Sequence, residues 1–234
     1  NEKDQAAVDE TWRMPLHKIV VCQWLGDLAE QMGDADYSIA PNGVDVGLFT
    51  APERNRNTQP RVGYMYSRLQ LKGSDIARDA IERARADMPG LNVLAFGMSH
   101  PERSEDVPRG TKFHRQPTQE EIPRLYAKCD AWLFGSRKEG FGLPILEAMA
   151  CRTPVIGTPA GAAPELLAGG CGKLVGAEDS ADMARAIVDL CQIPAEEWKE
   201  MSDRAFQKAQ SYNWEESTDR FEQALMRAVE KSQG

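Results

Sequence analysis

Glu139-Gly-Phe-Gly-Leu-Pro-Ile-Leu-Glu147, continued by Ala148-Met-Ala-Cys151, is the most informative stretch of the chain, because it joins a turn to an apolar, helix-like run with a single acid, Glu147. A carboxylate in apolar surroundings loses its hydration, and Glu is rarely buried without a strong partner. The glycines of the turn let the backbone approach a ligand closely, and Pro144 suits the first position of a helix. A helix start presents free N–H groups and a partial positive charge. The stretch therefore predicts a loop that ends in an anion-binding helix start, flanked by two acids.

The ligand of such a site needs an anionic group for the helix start and hydroxyl groups for the carboxylates. A nucleoside diphosphate sugar carries both, since it combines a diphosphate, a ribose diol and a hexose ring. The alternative is an ordinary helix start, with Glu147 favoured by the helix dipole and Glu139 on the preceding loop. The spacing alone supports the two interpretations about equally.

The rest of the chain alternates between strand-like and helix-like runs, and helical spacing recurs over residues 181 to 210. Short buried strands separated by helices are typical of parallel strands joined by crossovers. We therefore predict a doubly wound α/β fold, a parallel sheet with helices on both faces. The runs predicted as strands are 18–22, 61–66, 91–96, 131–134 and 155–156.

Capping residues and strand ends give further expectations. Ser74 is predicted to cap one helix, Thr118 with Glu121 a second, and Asn213 with Glu216 a third. In doubly wound sheets, ligands bind beyond the carboxyl ends of the strands. The basic loop 68–72 and the loop 135–142 both follow predicted strands. They should open on the same edge of the sheet.

Composition favours an enzyme domain and excludes some other classes. The chain has 234 residues and a net charge of −8, which argues against nucleic-acid binding. No apolar run approaches the roughly 20 residues that span a bilayer, and the polar start Asn1-Glu-Lys-Asp-Gln5 does not resemble a signal peptide. The five cysteines are odd in number and lack Cys-x-x-Cys spacing, so we expect reduced core thiols and a cytoplasmic protein.

Several segments, in order, resemble one family. The run from Glu139 to Glu147 and its continuation to Ile156 resemble the E-x7-E signature of retaining GT-B glycosyltransferases of the family-four (glycosyl transferases group 1) type. The resemblance covers roughly residues 35 to 232. The other matching segments are Pro41-Asn-Gly-Val-Asp45 with Phe49, Arg61-Val-Gly-Tyr-Met-Tyr-Ser-Arg-Leu-Gln-Leu-Lys-Gly73, Tyr126-Ala-Lys-Cys-Asp-Ala-Trp-Leu-Phe-Gly-Ser136, and Tyr212-Asn-Trp214.

The resemblance implies a division of the chain into three parts. Residues 1–40 correspond to a remnant strand and helix of the N-terminal, acceptor-binding domain with its linker. Residues 41–211 correspond to the Rossmann-like nucleotide-sugar domain, and residues 212–234 to a helix that crosses back. On this interpretation the remainder of the acceptor-binding domain is missing, and the protein is peripheral at the inner membrane through it. The alternative is that residues 1–35 are an integral outer layer of one domain.

The resemblance also implies the roles of individual residues. Arg68 and Lys72 correspond to the pair that binds the donor diphosphate, together with N–H groups near Gly142 and Leu143. Glu147 corresponds to the acid that binds the ribose hydroxyls, and Glu139 to the acid beside the donor hexose. The set expected to bind the donor is Arg68, Lys72, Glu139, Gly140, Phe141, Gly142, Leu143 and Glu147, with Glu139, Lys72 and Arg68 catalytic. No metal and no cofactor are expected, and the donor is a UDP-, GDP- or ADP-linked sugar.

Three positions depart from the family pattern. The interval between Arg68 and Lys72 is one residue shorter than usual, so Arg68 is expected to be displaced. Arg152 stands where Gly is usual, and a left-handed residue there costs about 1 kcal/mol. Its side chain must leave the core. Arg115 replaces a frequent Gly in the segment whose backbone meets the base in the family. The alternatives are that it stacks on the base or that it points to water, and we expect the second.

Two further function classes stay open. The chain alone could bind a nucleotide sugar without turning it over, or it could be a sugar-nucleotide epimerase or hydrolase of similar fold. The second needs acid–base residues that converge on the sugar, and the sequence supplies no such set. A nicotinamide dehydrogenase is disfavoured, because no Gly-x-Gly-x-x-Gly turn follows a first strand.

Overall fold

The computed structural model describes residues 2–33 and 36–232. Strands and helices alternate along most of this length, and two short 3-10 helices cover Gln70–Lys72 and Ser104–Asp106. In chain order the elements are α1 (Glu2–Arg13), β1 (Lys18–Val20), α2 (Gln23–Gln31), β2 (Tyr37–Ile39), β3 (Arg61–Met65), α3 (Ser74–Ala84), β4 (Asn92–Gly97), β5 (Lys112–Arg115), α4 (Ile122–Tyr126), β6 (Ala131–Phe134), α5 (Leu143–Ala150), β7 (Val155–Gly157), α6 (Ala163–Leu167), β8 (Gly172–Leu174), α7 (Ser180–Gln192), α8 (Ala195–Gln210) and α9 (Trp214–Ser232).

The main sheet of the described residues has six strands in the order β5-β4-β3-β6-β7-β8, and all neighbours pair in parallel. The connections first run outward from β3 to β5 and then return to the other side of β3, so the order reverses between β3 and β6. The predicted doubly wound α/β fold is confirmed. In such folds the crevice at the reversal is where ligands bind.

Helices cover both faces of this sheet, as predicted. Trp132 and Phe134 of β6 point into a core formed with α4, α5, α6 and α8, whereas Ala131 and Leu133 point into a core formed with α3 and α7. Every residue of β6 is buried, because both of its faces are covered. The five cysteines are buried and free, which confirms the expected core thiols. Among the helices of the described ranges, none has the length and apolar composition needed to cross a bilayer.

The N-terminal segment forms a small unit of its own. Strands β1 and β2 pair in parallel with Lys18 beside Tyr37, and α2 connects them. Helix α9 lies against β2, where the Lys231 ammonium binds the Asp36 carboxylate. The strand and helix predicted here are present, and β2 was not predicted.

The chain passes between this unit and the main sheet at two adjacent points. The Val44 N–H donates to the Tyr212 carbonyl over 2.6 Å, and a side chain at Gly43 would lie 2.6 Å from the Asn213 backbone. The boundaries predicted at residues 41 and 212 therefore lie side by side. Whether they separate two domains of a larger protein stays a prediction.

The predicted helix starts have different outcomes. The Asn213 side chain accepts the Glu216 N–H over 2.8 Å, which confirms that cap. The Glu121 carboxylate accepts the Thr118 N–H over 2.8 Å, but α4 begins at Ile122 without a side-chain cap, so Thr118 does not cap that helix. The prediction that Ser74 caps a helix is wrong. The left-handed Gly73 precedes the helix, and the Ser74 hydroxyl is used by the Ser67 N–H at 2.8 Å. Pro144 is the second helical residue rather than the first.

Candidate functional site

The candidate site lies where the sheet order reverses, at the loops 66–73 and 135–142 that follow β3 and β6. These loops touch through their backbones. Gly73 has φ +60°, and a Cβ there would lie 1.8 Å from the Gly135 carbonyl oxygen. The Arg137 N–H donates to the Leu71 carbonyl over 2.8 Å. The two loops therefore open on the same edge, as predicted, and they hold each other in place.

Arg137 fixes the 3-10 helix that carries Lys72. Its guanidinium contacts both carboxylate oxygens of Asp75, at 2.9 and 2.7 Å, and also binds Glu178 at 2.9 Å. Hydrogen bonding to this guanidinium lowers the pKa of Asp75, because it favours the ionised carboxylate. The same side chain donates to the Gln70 carbonyl. Sequence reasoning did not single out Arg137, since an isolated arginine after a strand gives no signal of what it binds.

The close contact of the loops leads to a stability prediction. Gly73→Ala is expected to lower the free energy of unfolding by about 3 kcal/mol, because a left-handed L-residue costs about 1–2 kcal/mol and a forced backbone shift about 1–3 kcal/mol. Gly110→Ala is the matched control, since Gly110 has φ +74° but open space around its Cβ position. Urea unfolding of both variants measures the difference. Equal stability of the two variants would show that the loops are not in contact.

Lys72 and Glu139 meet at this edge. The Lys72 Nζ lies 2.7 Å from Glu139 Oε1, and the Ser136 hydroxyl donates to the same oxygen over 2.8 Å. The Glu139 side chain is 13% exposed and that of Lys72 30%, so the pair is partly shielded but reachable from solvent. The sequence predicted both residues, whereas Ser136 appeared only at the end of a segment that resembles the family.

The loop between these acids ends in the start of α5. Gly142 takes a left-handed conformation with φ 107°, and Leu143 is the first helical residue. The first N–H groups of a helix have no partners within it, so the start of α5 offers donors to an anion. Phe141 is buried, and its ring lies 6.2 Å from that of Tyr212.

Two neighbouring segments hold this loop from behind. Gly161 has φ +60°, and a side chain there would lie 2.5 Å from the Phe141 carbonyl oxygen. The Ala162 N–H donates to that carbonyl over 2.8 Å. From the N-terminal unit, Cys22 Sγ and Trp24 Nε1 both donate to the Gly140 carbonyl, at 3.2 and 3.3 Å. The turn is thus fixed on both sides.

Glu147 lies on α5 and is partly buried, and the group that binds it is a phenol. The Tyr126 hydroxyl donates to Glu147 Oε2 over 2.7 Å. Burial raises the pKa of Glu147, and the hydrogen bond from Tyr126 opposes that rise. The sequence predicted a poorly hydrated acid at this position, which is confirmed. The sequence did not predict Tyr126, which lies a few residues before β6, as its hydrogen-bond partner.

Arg68 is the expected site residue that the structure does not bring to this cluster. Its side chain is 50% exposed and pairs with Glu102 at 2.8 Å, and it donates to the His100 carbonyl over 3.0 Å. The short interval between Arg68 and Lys72 contains a turn and the 3-10 helix, which directs Lys72 to Glu139 and Arg68 to the loop after β4. A role for Arg68 at the anion stays a prediction.

The other two departures from the family pattern behave as expected. Arg152 has φ +57°, and its side chain leaves the core. There it donates to the Ala51 carbonyl over 3.2 Å, binds Asp203 and lies over the Phe206 ring at 4.1 Å. Arg115 is exposed at the end of β5.

Solved structures resemble this fold over most of its length. HepE of Anabaena, solved with UDP and glucose, matches with a TM-score of 0.77 and 23% identity over 95% of this chain and 66% of that chain. The C-terminal domain of a glycosyl transferase group 1 family protein (LpcC) from Francisella tularensis matches with a TM-score of 0.62 and 24% identity, over 74% of this chain and 100% of that one. At these identities the likeness establishes the fold, and it confirms the GT-B expectation.

Sequence relatives agree with the structures. D-inositol 3-phosphate glycosyltransferase of Mycolicibacterium smegmatis is 28% identical over 250 residues, which cover 97% of this chain and 55% of that protein. O-antigen chain mannosyltransferase B of Escherichia coli is 35% identical over 100 residues, 42% of this chain and 26% of that protein. The chain thus spans about half the length of the first of these relatives. The family model of the glycosyl transferases group 1 matches residues 60–192, more than half of the chain. The chain therefore belongs to the glycosyl transferases group 1 family.

Proposed function

We propose that this chain is the donor-binding part of a retaining glycosyltransferase, which moves a hexosyl group from a nucleoside diphosphate sugar to an acceptor hydroxyl. One observation carries the proposal. Lys72, Glu139 and the start of α5 converge at the reversal of the sheet order, with Glu147 on the same helix. A cation, an anion-binding helix start and two acids match the diphosphate and the two sugars of such a donor.

The positive groups have the chemical role of stabilising the leaving group. Glycosyl transfer breaks the bond between the anomeric carbon and a diphosphate oxygen, so negative charge grows on the diphosphate. Charges and N–H dipoles that are already in place stabilise that transition state without reorganisation. Lys72 supplies a compact charge, and the N–H groups near Gly142 and Leu143 supply dipoles. Binding of the diphosphate draws Lys72 away from its ion pair with Glu139.

The two acids bind the sugars. Glu147 accepts hydrogen bonds from the ribose hydroxyls, and Glu139 contacts a hydroxyl of the donor hexose and favours the positive charge that develops at the anomeric carbon. Neither acid acts as a nucleophile in this proposal. The acceptor attacks from the face that the diphosphate leaves, and the diphosphate takes the proton of the acceptor hydroxyl. The anomeric configuration is then retained.

The printed names of similar proteins support a nucleotide-sugar donor. HepE was solved with UDP and glucose and also with UDP-glucose. A relative in Corynebacterium glutamicum, 28% identical over 177 residues, is a GDP-mannose-dependent mannosyltransferase. We accordingly propose a UDP-, GDP- or ADP-linked sugar as the donor. Acceptor binding belongs to a further region of the whole protein, so this chain alone is proposed to bind the donor without transferring it.

In this proposal Lys72 and the start of α5 neutralise the charge of the diphosphate, and no divalent cation is needed. Within residues 2–33 and 36–232, no three or more His, Cys, Asp or Glu side chains come together in a way that could hold a metal. The proposal further places the protein in the cytoplasm, since its buried thiols fit a reducing compartment.

Lys72→Ala is expected to weaken the binding of nucleoside diphosphates about 30-fold and the binding of nucleosides by less than about twofold, because a charge-assisted contact to phosphate contributes about 2 kcal/mol. Titration calorimetry with UDP, GDP and ADP, and with uridine, guanosine and adenosine, measures both. Lys199→Ala is the control, since Lys199 forms a surface pair with Asp203 on α8.

A thermal-shift screen over nucleoside diphosphate sugars first identifies the base, because a ligand that binds the folded state raises the melting temperature of the protein. Wild-type protein that binds none of these compounds contradicts the proposed function.

A further inference from the structure

We propose that Tyr126 is a positioning residue for ribose recognition: its hydroxyl fixes one oxygen of the Glu147 carboxylate and leaves the other to receive the ribose hydroxyls. The inference rests on the proposed function. Tyr126 ends α4, is fully buried, and reaches Glu147 Oε2 at 2.7 Å. Among the described residues, the Tyr126 hydroxyl is the group that donates a hydrogen bond to this carboxylate.

The Tyr126 ring is held on several sides, so its hydroxyl has a fixed position. The ring lies 4.5 Å from that of Trp132, 5.8 Å edge-on from that of Phe96 and 6.3 Å from that of Phe49. These contacts involve the ring carbons and are equally available to a phenylalanine. The hydroxyl is therefore the part of the side chain that serves Glu147.

The hydrogen bond has two effects on the carboxylate. It selects one orientation of a side chain that otherwise has several rotamers, and a contact group that is already ordered binds its ligand with less entropy loss. It also favours the ionised form of Glu147, which burial opposes. Burial raises the pKa of Tyr126 well above its usual range, which favours the protonated phenol that donates to Glu147. Ribose hydroxyls need an ionised, oriented acceptor, and this pair supplies one.

A second buried tyrosine provides a matched control. Tyr64 of β3 is also almost fully buried, but within the described residues its hydroxyl has no hydrogen-bond partner. Tyr64→Phe therefore removes the same atom from another buried tyrosine without removing a hydrogen bond. Comparison of the two Tyr→Phe variants separates the loss of a buried hydroxyl from the loss of the Glu147 contact.

The test measures the affinity of the chain for three probes by titration calorimetry: the nucleoside diphosphate among UDP, GDP and ADP that binds best, its 2′-deoxy form, and pyrophosphate. Wild-type protein is expected to prefer the ribonucleotide about tenfold, the effect of one hydrogen bond to a charged group. Tyr126→Phe is expected to weaken ribonucleotide binding about tenfold and to bring the ribose preference below about threefold, with pyrophosphate affinity unchanged. Tyr64→Phe is expected to behave as wild type.

Two other outcomes overturn the positioning role of Tyr126, and a third overturns the proposed function as well. An unchanged ribose preference in Tyr126→Phe overturns the positioning role while the proposed function stands. Equal weakening of all three probes also overturns it, because it shows a general loosening of the site. The thermal melting temperature of each variant identifies that case independently. Wild-type protein that binds none of the nucleotides overturns the proposed function and this inference together.

Discussion

Glu147→Gln is expected to weaken nucleoside diphosphate binding about 100-fold and to stabilise the fold at neutral pH. The loss of affinity follows from the proposed contacts, because hydrogen bonds from two ribose hydroxyls to a carboxylate contribute about 1.5 kcal/mol each beyond those to a neutral amide. The gain in stability follows from burial, which penalises the ionised carboxylate and raises the pKa of Glu147. A residue that is present although it lowers the stability of the fold is typical of a functional site.

The pH dependence of this gain has a definite sign. The pKa of Glu147 is higher in the folded state than in the unfolded state, so protonation of Glu147 stabilises the fold. This contribution to stability is fully present below the unfolded pKa, about 4.3. That contribution is lost as the pH rises through the raised folded pKa. Glutamine does not titrate. The variant should therefore be the more stable protein at pH 7 to 8, and the difference should shrink as the pH falls toward about 4.

Differential scanning calorimetry between pH 4 and 8 measures the stability effect, and titration calorimetry measures the affinity. For a chain of this size, about 1 kcal/mol corresponds to a shift in melting temperature of about 2–4 °C. Glu200→Gln is the control, because Glu200 is exposed and forms a surface pair with Arg204 at 3.5 Å. A Glu147→Gln protein with wild-type affinity would contradict the ribose role. A melting temperature lowered equally at every pH would contradict the assignment of a penalised carboxylate.

Asp130→Ala is expected to lower the free energy of unfolding by about 3–5 kcal/mol, because removing one partner of a buried charged network leaves the others unpaired. Asp130 has no exposed surface. Its carboxylate accepts the Asn57 N–H and side-chain amide at 2.8 and 2.9 Å and the Arg61 N–H at 2.8 Å. The guanidinium of Arg54 lies 3.7 Å away.

The effect of this substitution should extend to the candidate site. Asp130 precedes β6 and fixes the segment that enters β3, so it joins the two strands whose loops carry Glu139 and Lys72. Urea unfolding gives the change in stability, and Glu200→Ala is the surface control, expected within about 0.5 kcal/mol of wild type. A loss below about 1 kcal/mol for Asp130→Ala would show that the network is not needed.

The parts of the fold that the sequence predicted are those with strong burial. The five predicted strands are present with ends shifted by at most two residues, because runs such as 131–134 are buried on both faces. Besides β2, the main-sheet strands β5 and β8 were missed. They are short edge strands with exposed residues, Lys112 and Arg115 in β5 and Lys173 and Leu174 in β8, so neither shows a buried run.

The site residues were predictable in part for the same kind of reason. Lys72, Glu139 and Glu147 were found because their types and order match a family signature, and Glu147 stands out as a lone acid in an apolar run. Ser136, Arg137 and Tyr126 were missed as partners. Arg137 and Tyr126 bind residues that are distant in the sequence, and the contact of Ser136 with Glu139 depends on how their loop folds. The direction of Arg68 could not be read from spacing, since it is decided by the 3-10 helix that ends at Lys72 and by the position of Glu102.

A crystal structure of the chain with the nucleoside diphosphate sugar that binds most tightly is the most direct measurement. We predict diphosphate oxygens within about 3.2 Å of Lys72 Nζ and of the Leu143 N–H, and ribose hydroxyls within the same distance of the Glu147 carboxylate. A nucleotide seated on another part of the sheet, or one that leaves Lys72 paired with Glu139 and Glu147 without contact, would contradict the account.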